Sequence, residues 1–264
     1  MAYGMACGLT LVVLASAAAF AEDVCVLAQD GQPRATIVVA AKPSRMAQFA
    51  AEELAHYARK LSGASLPIVA EDKLTKEQAE GDLVLVGESE RTRKVGLTNA
   101  GLKPQEHVIR NAGRWLALMG RDEEDYGPVD YTKDMPWPEC RLDFPWRVYL
   151  KAWGSMYAVD AFLERVCGVR WYLPGELGEV APKTPTIRTS GLNLRLKPWT
   201  KFRLIGHAAA WDPFDFYAPG RDPKKTIPAR DMLLWWLRVK LGGEPWHANH
   251  SVYSYFDRFG ESNP

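Results

Sequence analysis

The sequence lacks a glycine-rich phosphate loop of either common pattern, so nothing in it provides for a nucleotide cofactor. It also lacks an excess of one charge. Its 33 Lys and Arg against 32 Asp and Glu leave a net +1, which gives no electrostatic reason for nucleic acid or an anionic membrane as partner. Histidine is scarce, at five residues. His247-Ala248-Asn249-His250 spaces two imidazoles by three with no glutamate between them, unlike the arrangement of zinc peptidases, and reads as a loop pair. No metal and no cofactor are expected. Cysteine is scarcer still, at four residues. Cys7 has no lipoprotein-type flanks, and Cys25, Cys140 and Cys167 are an odd set without metal-ligand spacing or the surroundings of a nucleophile. Cys25 and Cys140 could pair in an oxidising compartment, although spacing alone does not place their Cα atoms. Cys167 reads as a small buried hydrophobe.

A long membrane-spanning run is missing too. Leu9 to Phe20 is apolar and small, too short for a comfortable span, and Glu22-Asp23 follows at once. Ala19-Phe20-Ala21 has the small-x-small form of a cleavage site, so residues 1–21 read as a signal peptide and the mature chain as secreted or periplasmic. No Lys or Arg precedes Arg34, which departs from the usual signal and leaves a membrane-anchoring or mis-started N-terminus as the alternative.

The remainder is ordinary for a globular protein, 47% hydrophobic and 25% charged, and its 264 residues can hold one or two domains. Thr36 to Ala40 reads as a first strand. Ser44 then caps a helix running through Leu61, with Ala47, Ala50, Ala51, Leu54, Ala58 and Leu61 as its inner stripe and Ser62-Gly63 as its stop. Leu66 to Ala70 is a short strand, Lys73 to Glu80 a polar connection, and Leu83 to Gly87 a buried strand. Gln105–Arg110 and Arg114–Gly120 form a hairpin around Asn111-Ala112-Gly113. Residues 121–153 hold Asp122-Glu123-Glu124-Asp125, several prolines, Trp137 and Trp146 in irregular sequence, and a loop of this length is usually functional or mobile.

Gly154 to Pro182 is the most informative stretch. Met156, Val159, Phe162, Leu163 and Val166 recur at helical spacing after Ser155, a candidate N-cap. Gly168 sits where such a helix ends, and Val169–Leu173 leaves as a strand before Pro174-Gly175. Ser190–Asn193 is linker-like. Phe202–Gly206 then reads as a strand and Ala229–Leu241 as an apolar-striped helix stopped by Gly242-Gly243.

Together with Ala50–Tyr57 and Leu61–Val69, the Gly154–Pro182 stretch resembles the N-terminal domain of bacterial α-glucuronidases and of β-N-acetylhexosaminidases. It is most similar to a secreted family of unknown function that shares this domain. The resemblance covers Val24 to Thr189 and implies an α/β (α+β) fold: a mixed, mainly antiparallel sheet with helices on one face. In those relatives the domain precedes a (β/α) barrel, which needs about 250 residues. The resemblance therefore implies a domain over 24–190 and, over 195–264, only the start of a barrel, with the catalytic acids beyond Pro264. No catalytic residue is assigned within the chain. Glu176 and Glu179 are read as braces of the interdomain junction, and Asp212 and Asp215 as loop-capping or substrate-positioning groups.

The ten tryptophans all fall between Trp115 and Trp246. Aromatic faces pack against the C–H faces of a pyranose, but large aromatics also fill cores. Trp115, Trp171 and Trp236, on regular elements, read as core; Trp137, Trp146, Trp211 and Trp246 are the better sugar platforms. Arg203 matches an arginine that binds sugar hydroxyls in the hexosaminidases, and a guanidinium fork suits a vicinal diol or a uronic carboxylate. The following Gly206-His207-Ala208-Ala209-Ala210-Trp211 departs from the hexosaminidase pattern, which leaves an ordinary strand-edge Arg as the other reading. The candidate substrate-binding set is Arg203, His207, Trp211, Asp212, His247 and His250, at the carboxyl end of the first barrel strand. The expected function is the N-terminal part of an exported glycoside hydrolase acting on plant or bacterial polysaccharide. A non-catalytic glycan-binding or surface-interaction module is the alternative, and a metal-dependent hydrolase a weaker third.

Overall fold

The computed structural model describes residues 24–132, 153–203, 229–243 and 259–260. β1 (Val24–Gln29) turns back through Asp30 and Gly31, at φ +52° and +78°, into β2 (Gln32–Pro33). β3 (Ala35–Val39) is buried along its whole length. Ser44 caps α1 (Arg45–Ser62), accepting the Ala47 N–H on its hydroxyl, and Gly63 ends the helix in left-handed geometry at φ +88°. These are the signals that predicted the helix, and its limits agree with them.

After β4 (Ile68–Ala70) the expected polar connection contains a short helix, α2 (Lys76–Glu80). Thr75 and Gln78 make a reciprocal capping box there. β5 (Asp82–Val86) leads to α3 (Glu90–Lys94), capped by Ser89 and Thr92 in the same way. The hairpin of β6 (His107–Ala112) and β7 (Trp115–Gly120) turns at Gly113, as predicted. α4 (Gly154–Arg165) follows, then β8 (Arg170–Trp171), β9 (Glu179–Val180), β10 (Ile187–Ser190) and β11 (Asn193–Leu196). β12 (Phe202–Arg203), α5 (Ala229–Arg238) and β13 (Gly242–Gly243) complete the described chain.

The central sheet has the order β11-β6-β7-β5-β3-β4. β4, β3, β5 and β7 run parallel, and β7, β6 and β11 antiparallel. Parallel neighbours need a crossover, and α1 supplies it between β3 and β4. The three smaller sheets, β10-β1-β2, β8-β9 and β12-β13, are wholly antiparallel. The fold is therefore a mixed α/β fold in which antiparallel ladders outnumber parallel ones among the described residues. Ser190–Asn193, linker-like in sequence, forms the turn from β10 to β11. Asn111 secures it by donating to the Thr189 hydroxyl (2.9 Å) and accepting the Leu192 N–H (3.1 Å).

Alternate strand residues divide the core by the two-residue period of the pleat. Ile37, Val39, Val84, Val86, Leu116 and Leu118 face α1 and α4, which pack against each other on the same side of the sheet. Val38, Leu83, Leu85 and Ala117 face the other side, under Leu74, Leu97 and Trp115. Both long helices thus share one face, as expected of the fold. Among the described residues no helix is long and apolar enough to cross a membrane.

One expectation is corrected, and the open question of Cys25 is answered. Ser155 does not cap α4: Trp153 holds the N-cap position, and the Ser155 N–H donates to Asp122 (2.8 Å) while its hydroxyl donates to the same carboxylate (2.6 Å). An acid from β7's exit loop thus replaces a local cap. Cys25 is a free thiol, fully buried and directed at the Leu83 carbonyl (3.7 Å), so no disulfide engages it. Cys140 lies outside the described residues.

Gly120 and Gly154 touch where β7 ends and α4 begins. A Cβ on Gly154 would lie 2.3 Å from the Gly120 carbonyl carbon and 2.3 Å from the Arg121 nitrogen. Backbone cannot swing aside as a side chain can. We expect Gly154→Ala to destabilise the protein by at least about 1–3 kcal/mol, the usual cost of overpacking. The urea unfolding midpoint checks this, and an unchanged midpoint would contradict the contact.

Candidate functional site

Of the six candidate substrate-binding residues, Arg203 alone falls within the described residues. His207, Trp211, Asp212, His247 and His250 lie outside them, as do Asp215, Trp137, Trp146 and Trp246. Arg203 pairs with Gly242 in the β12–β13 ribbon. Its guanidinium donates to the Lys240 carbonyl, the Thr200 carbonyl and the Gln105 side-chain oxygen, each at 2.5 Å. The fork therefore ties the ribbon to the loop before β6. Among the tryptophans, Trp171 and Trp236 are in the core as expected, and Trp115 is half-buried beneath the Arg91 guanidinium. Trp199 is 96% exposed.

The densest polar constellation lies where α1, the β8–β9 ribbon and α5 meet. Helical spacing puts Glu53, His56, Tyr57 and Lys60 on one side of α1. Glu53 is fully buried and accepts two bonds from Arg238, at 2.6 Å from Nε and 3.2 Å from Nη2, and a third from the Tyr131 hydroxyl. The Tyr57 hydroxyl donates to Glu179 (2.6 Å) and accepts from the Trp171 indole (2.6 Å), while Lys60 pairs with the other Glu179 oxygen (2.6 Å). The Arg238 guanidinium stacks over the rings of Tyr57 and Trp171, at 5.2 and 5.7 Å. Trp235 donates to the Trp171 carbonyl (3.1 Å), and Arg230 to that of Tyr131.

The electrostatics follow from this packing. Burial pushes the Glu53 carboxyl up, and the charge and hydrogen bonds of Arg238 outweigh it, so the group lies below the usual carboxylate range. Burial, aided by the Glu53 charge, raises both Tyr57 and Tyr131. Burial lowers His56. Glu179 also lies 3.9 Å from Arg238 of α5, whereas Glu176 is exposed and makes no such contact among the described residues. Sequence reading missed Glu53 because an inner stripe was drawn from apolar residues alone. Its spacing from Ala50 and Tyr57 was the available signal.

A second feature is a polar cleft of about 390 Å³ at the carboxyl ends of β3, β5 and β7, lined by Lys42, Glu71, Glu88, Arg93, Asp122 and Tyr126 among others. Open α/β sheets bind ligands at this edge. Here the carboxylates already serve the protein. Glu71 accepts the N–H groups that open α3, and Glu88 accepts from Arg93, Thr98 and Asn99. Asp122 receives the Ser44 hydroxyl (3.1 Å) as well as Ser155, and burial raises its pKa to about 6 against those bonds. Among the described residues no group of His, Cys, Asp or Glu is arranged to hold a metal.

Removing one partner of a buried pair strands the other charge. We expect Glu53→Leu or Arg238→Met alone to cost about 3–5 kcal/mol each, and the two together to cost clearly less than the sum. Chemical denaturation of the three variants checks this; additive losses would show that the two residues do not act as a pair.

No protein-family model matches the chain, and no curated protein is significantly similar to it. Among solved structures, a family GH115 4-O-methyl-α-glucuronidase with specificity for decorated arabinogalactans is similar to it in fold, at 16% identity and a TM-score of 0.49. The match covers 82% of this chain and 25% of that one.

Proposed function

We propose that this chain is the N-terminal part of an exported carbohydrate-active protein related to the glycoside hydrolases, acting on plant or bacterial polysaccharide. In this reading residues 1–21 direct export, the 24–190 domain is a support, and 195–264 begins a barrel domain. The observation that carries it is the Glu53–Arg238–Glu179 network. Both carboxylates come from the support domain and Arg238 from the barrel segment, so the cation that forks onto fully buried Glu53 arrives with that segment, while Glu179 also pairs with Lys60 of its own domain. The sequence resemblance across Val24–Thr189 supplies the carbohydrate theme. Catalytic acids belong to later barrel strands, and Arg203, His207, Trp211, Asp212, His247 and His250 contribute the outer sugar pocket. Within that set Trp211 offers a stacking face, whereas three of Arg203's donors hold backbone and Gln105.

On this reading the purified 264-residue protein should not hydrolyse aryl glucuronides or aryl N-acetylhexosaminides above background, because the first elements of a barrel do not place two carboxylates about 5–9.5 Å apart around a sugar. It should bind oligosaccharides of a plant or bacterial polysaccharide in a calorimetric titration, with affinity falling roughly tenfold in Trp211→Ala. Turnover by this chain would overturn the placement of the acids. Failure to bind any glycan across an array would count against the carbohydrate reading.

A further inference from the structure

Asp160 stands in the middle of α4 with no exposure, and neither carboxyl oxygen has a hydrogen-bond partner among the described residues. The helix around it is enclosed by the central sheet, α1 and α5, and its neighbours from Gly154 to Leu163 are all buried. Four charged groups act on it: Glu53 from α1, Arg238 and Lys240 from α5 and its exit, and Glu164 from α4 itself. On the sheet side, His107 of β6 lies against the neighbouring Tyr157. The two cations are committed elsewhere. Arg238 forks onto Glu53, and Lys240 pairs with Glu164 at 2.9 Å. Glu53 and Glu164 repel a further negative charge. An ionised carboxylate without solvent exposure, protein hydrogen bonds or a free cation is among the costliest groups a protein can bury.

We propose that Asp160 is carried as the neutral carboxylic acid, and that its ionisation loosens α5 from α4 and α1, so that the seating of α5 depends on pH. The interface already has one carboxylate for its one forked cation; Asp160 is the surplus acid, tolerated only while protonated. Burial is also the main cause that raises its carboxyl well above the usual carboxylate range, with Lys240 and Arg238 only partly opposing it. The direction follows by linkage. With α5 displaced, Asp160 meets water and ionises near its ordinary value of about 3.9. Its contribution to seating is complete below that pH and is lost as pH rises toward its seated value, by up to about tenfold in equilibrium constant per unit. Glu53 and His56 act in the opposite sense. Both sit below their ordinary values, so their contributions are present at higher pH and fade as pH drops. The opposing carboxylates give α5 an optimum rather than a plateau.

The test compares Asp160→Asn with the unaltered 264-residue protein by hydrogen exchange of the α5 amides at about pH 5, 6, 7 and 8. Intrinsic exchange rates, and the titrations of Glu53 and His56, largely cancel between two proteins at the same pH. The expected result is a protection ratio, variant over unaltered, that climbs with pH by up to about tenfold per unit until Asp160 ionises in place. A ratio flat across the range would overturn the proposal. Should the variant not fold, carbon-13 NMR of the Asp160 carboxyl in the unaltered protein decides. A protonated shift at about pH 6 supports the proposal, and titration near about 4 refutes it.

Discussion

The ion pair between Glu53 and Arg238 governs how the parts of this chain are joined. Residues 185 apart in sequence meet at 2.6 Å, in a place where the carboxylate has no exposure at all. α1 cannot lay its inner face on the sheet without also burying Glu53, and a buried carboxylate needs a partner. The packing of α1 and the seating of α5 are therefore coupled through this pair. The apolar contacts agree, since Leu233, Leu234, Trp236 and Leu237 belong to the same core as Phe49, Leu54 and Phe162. The 229–243 segment completes that core; it is no appendage to it.

Acids fix the starts of the two long helices and tie α1 to its neighbours further along. Asp122 receives the Ser44 hydroxyl, which caps α1, and the Ser155 N–H at the first turn of α4. One carboxylate thereby sets where both helices begin. From the middle to the last turn of α1, Glu53 and Glu179 engage α1, the β8–β9 ribbon and α5 together. Between these clamps, Gly87, Gly120 and Gly154 admit close approach where β5 meets α1 and β7 meets α4. In the cleft at the strand ends, Glu71, Glu88 and Asp122 are already engaged by backbone and side-chain donors of the protein.

Much of this was legible locally. Ser44 and Ser62-Gly63 mark α1, Asn111-Ala112-Gly113 marks the hairpin, and the apolar stripes mark the inner sides of α1 and α4, because each of these signals acts within a few residues. What escaped depends on distant partners. Ser155 has the right chemistry for a cap, but its role was taken by an acid 33 residues away. Glu53 looks like a solvated helix residue until Arg238 is brought to it. The boxes at Thr75-Gln78 and Ser89-Thr92 were readable, but helices of five residues have too little periodicity to declare themselves. Arg203 was correctly seen as a group with directed donors, and nothing in its neighbours foretold that Gln105, 98 residues earlier, would take one of them. The other five residues of the candidate sugar site lie outside the described residues.

Cys25 carries a practical consequence of its burial. Its thiol is inaccessible at the floor of the main core, beside the Leu83 carbonyl, and burial pushes its pKa up to about 12. Only the thiolate reacts with alkylating reagents, so both exposure and charge are withheld while the core is closed. Fraying of the surface helices would leave it silent. The rate at which Cys25 becomes alkylated is consequently a clock for β1 lifting off the main core, built into the protein without any added label.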